Sequence, residues 1–150
     1  MSETYYTNPY SASATAGRWN PRGTRMIYAG SSPSVALLEY LCIKGNAVAT
    51  KRWHMIVFEI ADESLIGTLE ASTLPPDWNV LPHGSATQEF GRTWLNERAF
   101  PFLKVPSARM DVRFYPTECN LLINTDFPGL TSLLKVRETV PFNYLLNTIR

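Results

Sequence analysis

Residues 25–46 read RMIYAGSSPSVALLEYLCIKGN, and this stretch predicts a short strand followed directly by a helix. Arg25 to Ala29 reads Arg-Met-Ile-Tyr-Ala, which predicts a short strand. Ser32 and Pro33 then mark a helix start, because serine can cap free amide groups and proline suits the first helical position. Lys44-Gly45-Asn46 predicts the end of the helix. Four residues are spaced to share its buried face: Val35, Leu38, Leu41 and Cys42.

The rest of the chain alternates irregularly between strands and one further helix. The second helix is predicted over Ser85 to Arg98, with Ala86, Phe90 and Trp94 on its apolar side and Gly91 allowing close packing. No glycine-rich phosphate loop follows a strand. Strands are predicted at Trp53–Ile60, which reads as well buried, and at Leu65–Leu69, Phe100–Val105, Cys119–Ile123 and Leu130–Val140, before a tail over Phe142–Ile149. We therefore expect one α+β domain with a mixed or split β-sheet and flanking helices, not a doubly wound fold.

Charge and composition exclude several classes of protein. The 14 basic and 13 acidic residues give a net charge of +1 without a basic run, which argues against a protein that binds the nucleic-acid backbone. No segment has the roughly 18 apolar residues of a membrane span, and the N-terminus lacks a signal core. Cys42, Cys119, His54 and His83 form no zinc pattern. We expect a soluble cytoplasmic protein with buried reduced thiols and no metal.

The first candidate cluster is the segment Gly17-Arg18-Trp19-Asn20-Pro21-Arg22-Gly23. Arginine offers a planar fork of donors suited to phosphate, and a flanking glycine lets the backbone approach a ligand closely. The alternative is a surface turn with solvated arginines and one core tryptophan. Short turn motifs recur by chance, so this segment alone does not decide between the two.

Two further clusters lie near strand ends. Tyr28, Ser31 and Ser32 surround the point where a strand runs into a helix, which is a natural site for an anion. Glu39 is predicted beside the buried face of that helix, where a carboxylate needs a partner or a purpose; the alternative is a half-exposed helix residue. Ser107 follows a proline at a strand end, and it is predicted to donate a hydrogen bond or to be a plain turn serine.

Together these blocks resemble the RES domain family, which is named for an arginine, a glutamate and a serine. Arg18, Glu39 and Ser107 would be those three residues here. The resemblance covers roughly Ala16 to Pro128, and we divide the chain into a polar segment 1–16 and a RES-like domain 17–150. Five blocks agree in order: Gly17-Arg18-Trp19-Asn20 with Gly23, Tyr28, Ser31 or Ser32, Ala36 and Glu39; Leu74-Pro75-x-Asp77-Trp78; Gly91 with Trp94-Leu95; Val105-Pro106-Ser107-Ala108; and Asn120-Leu121-Leu122-Ile123-Asn124.

The resemblance implies a fold related to the ADP-ribosyltransferase toxins and an enzyme that breaks the nicotinamide–ribose bond of NAD⁺. Glu39 would then stabilise positive charge on the ribose, and Arg18 would hold the pyrophosphate or the neighbouring ribose. Tyr28 would stack on nicotinamide, and Ser107 would bind the ribose or orient Glu39. NAD⁺ is a substrate here, so no cofactor is expected. Five more residues are expected to bind substrate: Trp19, Asn20, Ser31, Ser32 and Asn120.

The attacking group stays open among water, phosphate and a protein side chain. The last would make the chain an ADP-ribosyltransferase with a protein target. A catalytically inactive relative that binds NAD⁺ or a partner is a further alternative. A toxin that binds or cleaves RNA would lose binding steeply with added salt. The resemblance also implies an antitoxin with a helix-turn-helix (Xre-like) region and a possible homodimer, with no direct binding to nucleic acid or membrane.

Overall fold

The structure, a computed structural model, describes residues 8–147. The predicted N-terminal segment 1–16 and the predicted tail over Phe142–Ile149 each lie partly outside the described residues. Three helices are found in this range: α1 (Pro33–Lys44), α2 (Ser85–Glu97) and α3 (Leu130–Leu133). Six strands accompany them: β1 (Ile27–Gly30), β2 (Trp53–Ile60), β3 (Ile66–Thr68), β4 (Phe102–Val105), β5 (Asn120–Ile123) and β6 (Leu134–Phe142).

The strands form two separate sheets. The larger has the order β1-β5-β4-β3, in which β3 is parallel to β4 and the other pairs are antiparallel. The smaller is an antiparallel ribbon of β2 and β6, with an irregularity between Val57 and Phe58. The predicted α+β fold with a mixed, split sheet is therefore confirmed. Its likeness to the ADP-ribosyltransferase fold stays an expectation.

The four-stranded sheet is covered on both faces because alternate residues of each strand point to opposite sides. On one face, Leu103 and Leu122 pack with Trp94 of α2 and with Trp19. On the other face, strand residues pack against the β2–β6 ribbon: Ile27, Phe102 and Ile123 contact Leu134, Phe58 and Ile60. The sheet is thus the central layer.

Helix α1 begins as the sequence predicts. The Ser32 side chain accepts a hydrogen bond from the Val35 amide at 3.3 Å, and Pro33 occupies the first turn. Gly30 ends β1 so close to α1 that an added Cβ would lie 2.8 Å from the Ala36 nitrogen. The turn between β1 and α1 is therefore tight, which fixes where the helix projects its side chains.

Several details of the sequence-based prediction are wrong. Leu130–Leu133 is a helical turn and not a strand, because Gly129 adopts a left-handed φ of 75° that turns the chain before β6 begins. Cys42 is exposed, because the last three residues of α1 face solvent; Cys119 is buried as predicted. Ala86 is also exposed, because the buried face of α2 centres on Gly91 and Trp94.

Strand β2 is mostly half-buried rather than well buried, because a two-stranded ribbon is covered on one face only. Within residues 8–147 no helix has both the length and the apolar character to cross a membrane.

Candidate active site

Three strand ends meet at one end of the four-stranded sheet. β1 ends at Gly30, β4 ends at Val105, and β5 begins at Asn120, which is in register with both. Ser107 lies two residues beyond β4, and α1 carries Glu39 across the same end. The fold therefore brings together residues that are 68 and 81 positions from Glu39 in the sequence.

The Glu39 carboxylate is held by two side chains. Its Oε1 accepts a hydrogen bond from the Ser107 hydroxyl at 2.5 Å and another from the Asn120 amide at 2.7 Å. Its Oε2 accepts no hydrogen bond within residues 8–147 and has Arg109 Nε at 4.0 Å. The Glu39 side chain is 22% exposed. One oxygen is thus fixed by the protein, and the other is available to a bound molecule.

Ser107 connects two parts of this cluster. Its side chain is buried, it donates to Glu39, and it accepts a hydrogen bond from the Arg109 backbone amide at 3.0 Å. Because its hydroxyl hydrogen is directed at the Glu39 carboxylate, the geometry is that of a serine that orients a carboxylate. This is one of the two roles predicted for it.

Arg18 lies within electrostatic range of the same cluster. Burial and the neighbouring Arg109 lower the pKa of Arg18, while Glu39 and Tyr28 act in the opposite direction. Its Nη1 donates to the carbonyl oxygens of Trp78 at 2.6 Å and of Val80 at 3.1 Å. Arg18 therefore holds the segment Trp78–Val80 and also adds positive charge near the carboxylate.

Tyr28 presents its ring to solvent while its hydroxyl is tied to the protein. The residue is 41% exposed, but its hydroxyl donates to Asn20 Oδ1 at 2.5 Å and accepts from the Trp19 amide at 3.0 Å. Burial raises the pKa of Tyr28 well above its ordinary value. The phenol therefore remains protonated and keeps donating to Asn20, which holds the ring in one position.

Trp19 and Asn20 are enclosed beneath this ring, at 1% and 2% exposure. The Asn20 amide donates to the carbonyl oxygens of Thr15 and Thr24 at 2.9 and 2.8 Å, and Trp19 packs edge-on against Phe90. These side chains support the site from below. Direct contact of these two residues with a substrate stays a prediction, and their burial argues against it.

Ser31 and Ser32 fasten the start of α1 to the segment before β5. The Ser31 hydroxyl accepts from the Cys119 amide at 3.0 Å, and the Ser32 hydroxyl donates to Glu118 at 3.2 Å. Both bonds belong to the protein itself. Substrate binding by these two serines stays a prediction, whereas Asn120 is in direct contact with Glu39.

A mostly apolar groove of about 380 Å³ lies beside α1. Two of its lining residues are sequence neighbours of the polar cluster, since Met110 follows Arg109 and Leu38 precedes Glu39. Its lining consists of Ser34, Val35, Leu38, Met110, Phe114 and Glu118. No three His, Cys, Asp or Glu side chains in the described part of the chain are grouped to hold a metal.

Sequence reasoning missed Arg109. It lies two residues after Ser107, and its side chain is 21% exposed beside Glu39. Its position two residues after a predicted catalytic serine could have marked Arg109 as a candidate site residue. However, nothing in the sequence alone showed that the turn after β4 would direct it toward α1 rather than into solvent.

Replacing Tyr28 with phenylalanine is expected to lower the free energy of unfolding by about 1–3 kcal/mol, because the Trp19 amide and Asn20 Oδ1 lose their shared partner. Urea denaturation monitored by tryptophan fluorescence measures this. Tyr144→Phe is the matched control, since among the described residues its hydroxyl makes one hydrogen bond, to the Leu37 carbonyl at 2.8 Å. A loss for Tyr28→Phe no larger than that of the control would contradict the assigned network.

The chain belongs to the RES domain family, whose pattern it matches over residues 2–144. It is 30% identical over 135 residues to Toxin Res of Yersinia enterocolitica serotype O:8 / biotype 1B, covering 90% of this chain and 85% of that protein.

Two further relatives support this assignment. The chain is 32% identical over 142 residues to the Prs ADP-ribosylating toxin of Sphingobium sp. (strain YBL2), covering 93% of this chain and 84% of the relative. It is also 32% identical over 108 residues to Toxin Res of Photorhabdus laumondii subsp. laumondii, covering 72% of this chain and 65% of that relative.

Proposed function

We propose that this chain is a toxin of the RES type that consumes NAD⁺ by breaking its nicotinamide–ribose bond. The observation that carries the proposal is the Glu39 carboxylate: Ser107 and Asn120 orient it through one oxygen, while the other accepts no hydrogen bond within residues 8–147. Relatives named as toxins support the biological role, and membership of the RES domain family supports the site.

The reaction needs stabilisation of positive charge on the ribose. As the bond from the ribose C1′ to the nicotinamide nitrogen breaks, its electron pair goes to the nicotinamide ring, and an oxocarbenium-like centre develops on the ribose. A fixed carboxylate beside this centre stabilises it, because it is oriented before the charge appears. An attacking group then forms the new bond to C1′; water gives ADP-ribose and releases a proton.

The remaining parts of the site suit the remaining parts of the substrate. The exposed ring of Tyr28, held by Asn20, offers a flat face for nicotinamide. The guanidinium groups of Arg18 and Arg109 supply positive charge for the diphosphate. The apolar groove between Val35 and Phe114 suits adenine, the uncharged aromatic ring of NAD⁺.

A second candidate function is transfer of ADP-ribose to a protein. It is favoured by one observation, the 32% identity to a relative named the Prs ADP-ribosylating toxin. Both functions share the loss of nicotinamide and differ only in the attacking group. An antitoxin with an Xre-like region, a homodimer and a cytoplasmic location belong to the same proposal.

The experiment is to incubate the purified protein with NAD⁺ and to measure nicotinamide by chromatography, with and without inorganic phosphate. Release in phosphate-free buffer is expected if water is the acceptor, and release that requires phosphate is expected for phosphorolysis. Release only after addition of a bacterial protein extract, with ADP-ribose attached to a protein, would favour the transferase. No release under any of these conditions would overturn the proposed reaction.

A further inference from the structure

The guanidinium of Arg109 has one charged partner, Glu39, and no hydrogen-bond acceptor among the described residues. Its Nε lies 4.0 Å from Glu39 Oε2, and its backbone amide donates to Ser107, which fixes the residue at the site. The guanidinium itself donates no hydrogen bond within residues 8–147, although the side chain is 21% exposed. These N–H donors are mostly shielded from water, and none of them has a hydrogen-bond acceptor among the described residues, which favours binding of an anion.

Two other arginines, Arg18 and Arg113, already donate hydrogen bonds to the protein. Arg18 donates through Nη1 to the carbonyl oxygens of Trp78 and Val80. Arg113, only four residues after Arg109, pairs through Nε and Nη2 with Asp111 at 3.1 and 2.9 Å and is 85% exposed. All three side chains carry the same charge, but Arg18 and Arg113 have hydrogen-bond acceptors within the protein, whereas Arg109 has only the Glu39 carboxylate at 4.0 Å among the described residues.

We propose that Arg109 is the principal contact for the diphosphate of the dinucleotide, while Arg18 mainly holds the segment Trp78–Val80 against the site. This inference rests on the proposed function, since it assumes a dinucleotide in the cleft. The geometry is compatible with both neighbours of Arg109: Nε remains beside Glu39, and the two Nη groups form a fork that matches two phosphate oxygens. Arg109 would also offset the repulsion between the Glu39 carboxylate and a phosphate.

The first test measures binding and not turnover. Isothermal calorimetry with ADP-ribose is expected to show binding to the wild type and affinity weakened roughly 10- to 100-fold in Arg109→Gln, the range of a hydrogen bond to a charged group. Arg113→Gln is the matched control and is expected to bind like the wild type, because Arg113 is exposed and paired with Asp111. Equal affinities for wild type and Arg109→Gln would overturn the inference, as would a wild type that does not bind ADP-ribose.

The second test separates phosphate binding from an effect on Glu39. Arg109→Gln is expected to raise KM for NAD⁺ by roughly 10-fold or more, with little change for nicotinamide riboside, which has no phosphate. Equal losses of kcat/KM for both substrates would overturn the inference and make Arg109 a positioning residue for Glu39. Binding of ADP-ribose that depends on Arg109, without nicotinamide release by the wild type, would instead uphold the inference and overturn only the proposed reaction.

Discussion

Replacing Glu39 with glutamine is expected to slow nicotinamide release from NAD⁺ by about 10²- to 10³-fold, the usual cost of removing one preorganised charge from a transition state. The substitution keeps the shape of the side chain and an oxygen that accepts from Ser107 and Asn120. It removes only the negative charge that would face the ribose. The measurement is the initial rate of nicotinamide release at saturating NAD⁺.

Glu89→Gln provides the control for this substitution. Glu89 is an exposed carboxylate on α2 that pairs with Arg92 at 3.5 Å, outside both the groove and the cluster around Glu39. We expect its substitution to change the rate less than 3-fold, which is well below the effect expected for Glu39. A Glu39→Gln enzyme that melts like the wild type and retains its rate within the same limit would contradict the role assigned to the carboxylate.

Replacing Gly91 with alanine is expected to have the largest effect on stability. An added Cβ would lie 1.7 Å from the carbonyl oxygen of Trp19 and 2.7 Å from its carbonyl carbon, so the backbone itself must move. Overpacking a core commonly lowers the free energy of unfolding by about 1–3 kcal/mol. We expect a loss of about 3 kcal/mol or more here, because the added methyl group would clash with backbone. The free energy of unfolding from guanidinium denaturation is the quantity to compare.

The matched control for this change is Gly84→Ala, at the N-cap of the same helix. There the nearest atom to an added Cβ is Asp77 Oδ2 at 3.4 Å, and φ is −84°, which alanine adopts readily. A change within about 1 kcal/mol is expected. Similar losses for the two variants would show that the contact between α2 and Trp19 is less rigid than described.

Much of the fold was predictable because local signals and tertiary structure agree. The Ser32-Pro33 start of α1 depends on neighbouring residues only, and it forms as predicted. Leu130–Leu133 was not predictable as a helical turn, since its conformation follows from the left-handed Gly129 and from where β6 must begin. Cys42 shows the same limit: helical periodicity predicts a face, but only packing decides how far along the helix that face is covered.

The candidate site was partly predictable for a related reason. Arg18, Tyr28, Glu39 and Ser107 were named from family resemblance, and the structure brings Glu39 and Ser107 into contact and places Arg18 near them. The support given by Trp19 and Asn20 from below, and the presence of Arg109, depend on distances between segments that no sequence pattern records.

The pairing of β1 with β5 has a consequence for how the protein is made. Glu39 lies in the first third of the chain, yet both groups that orient it come from the last third, and β5 completes the sheet between β1 and β4. A ribosome must therefore synthesise the chain beyond Asn120 before the carboxylate acquires its partners. Until then the nascent polypeptide carries the arginine, the tyrosine and the glutamate without an assembled centre, which postpones any toxicity until β5 has been synthesised.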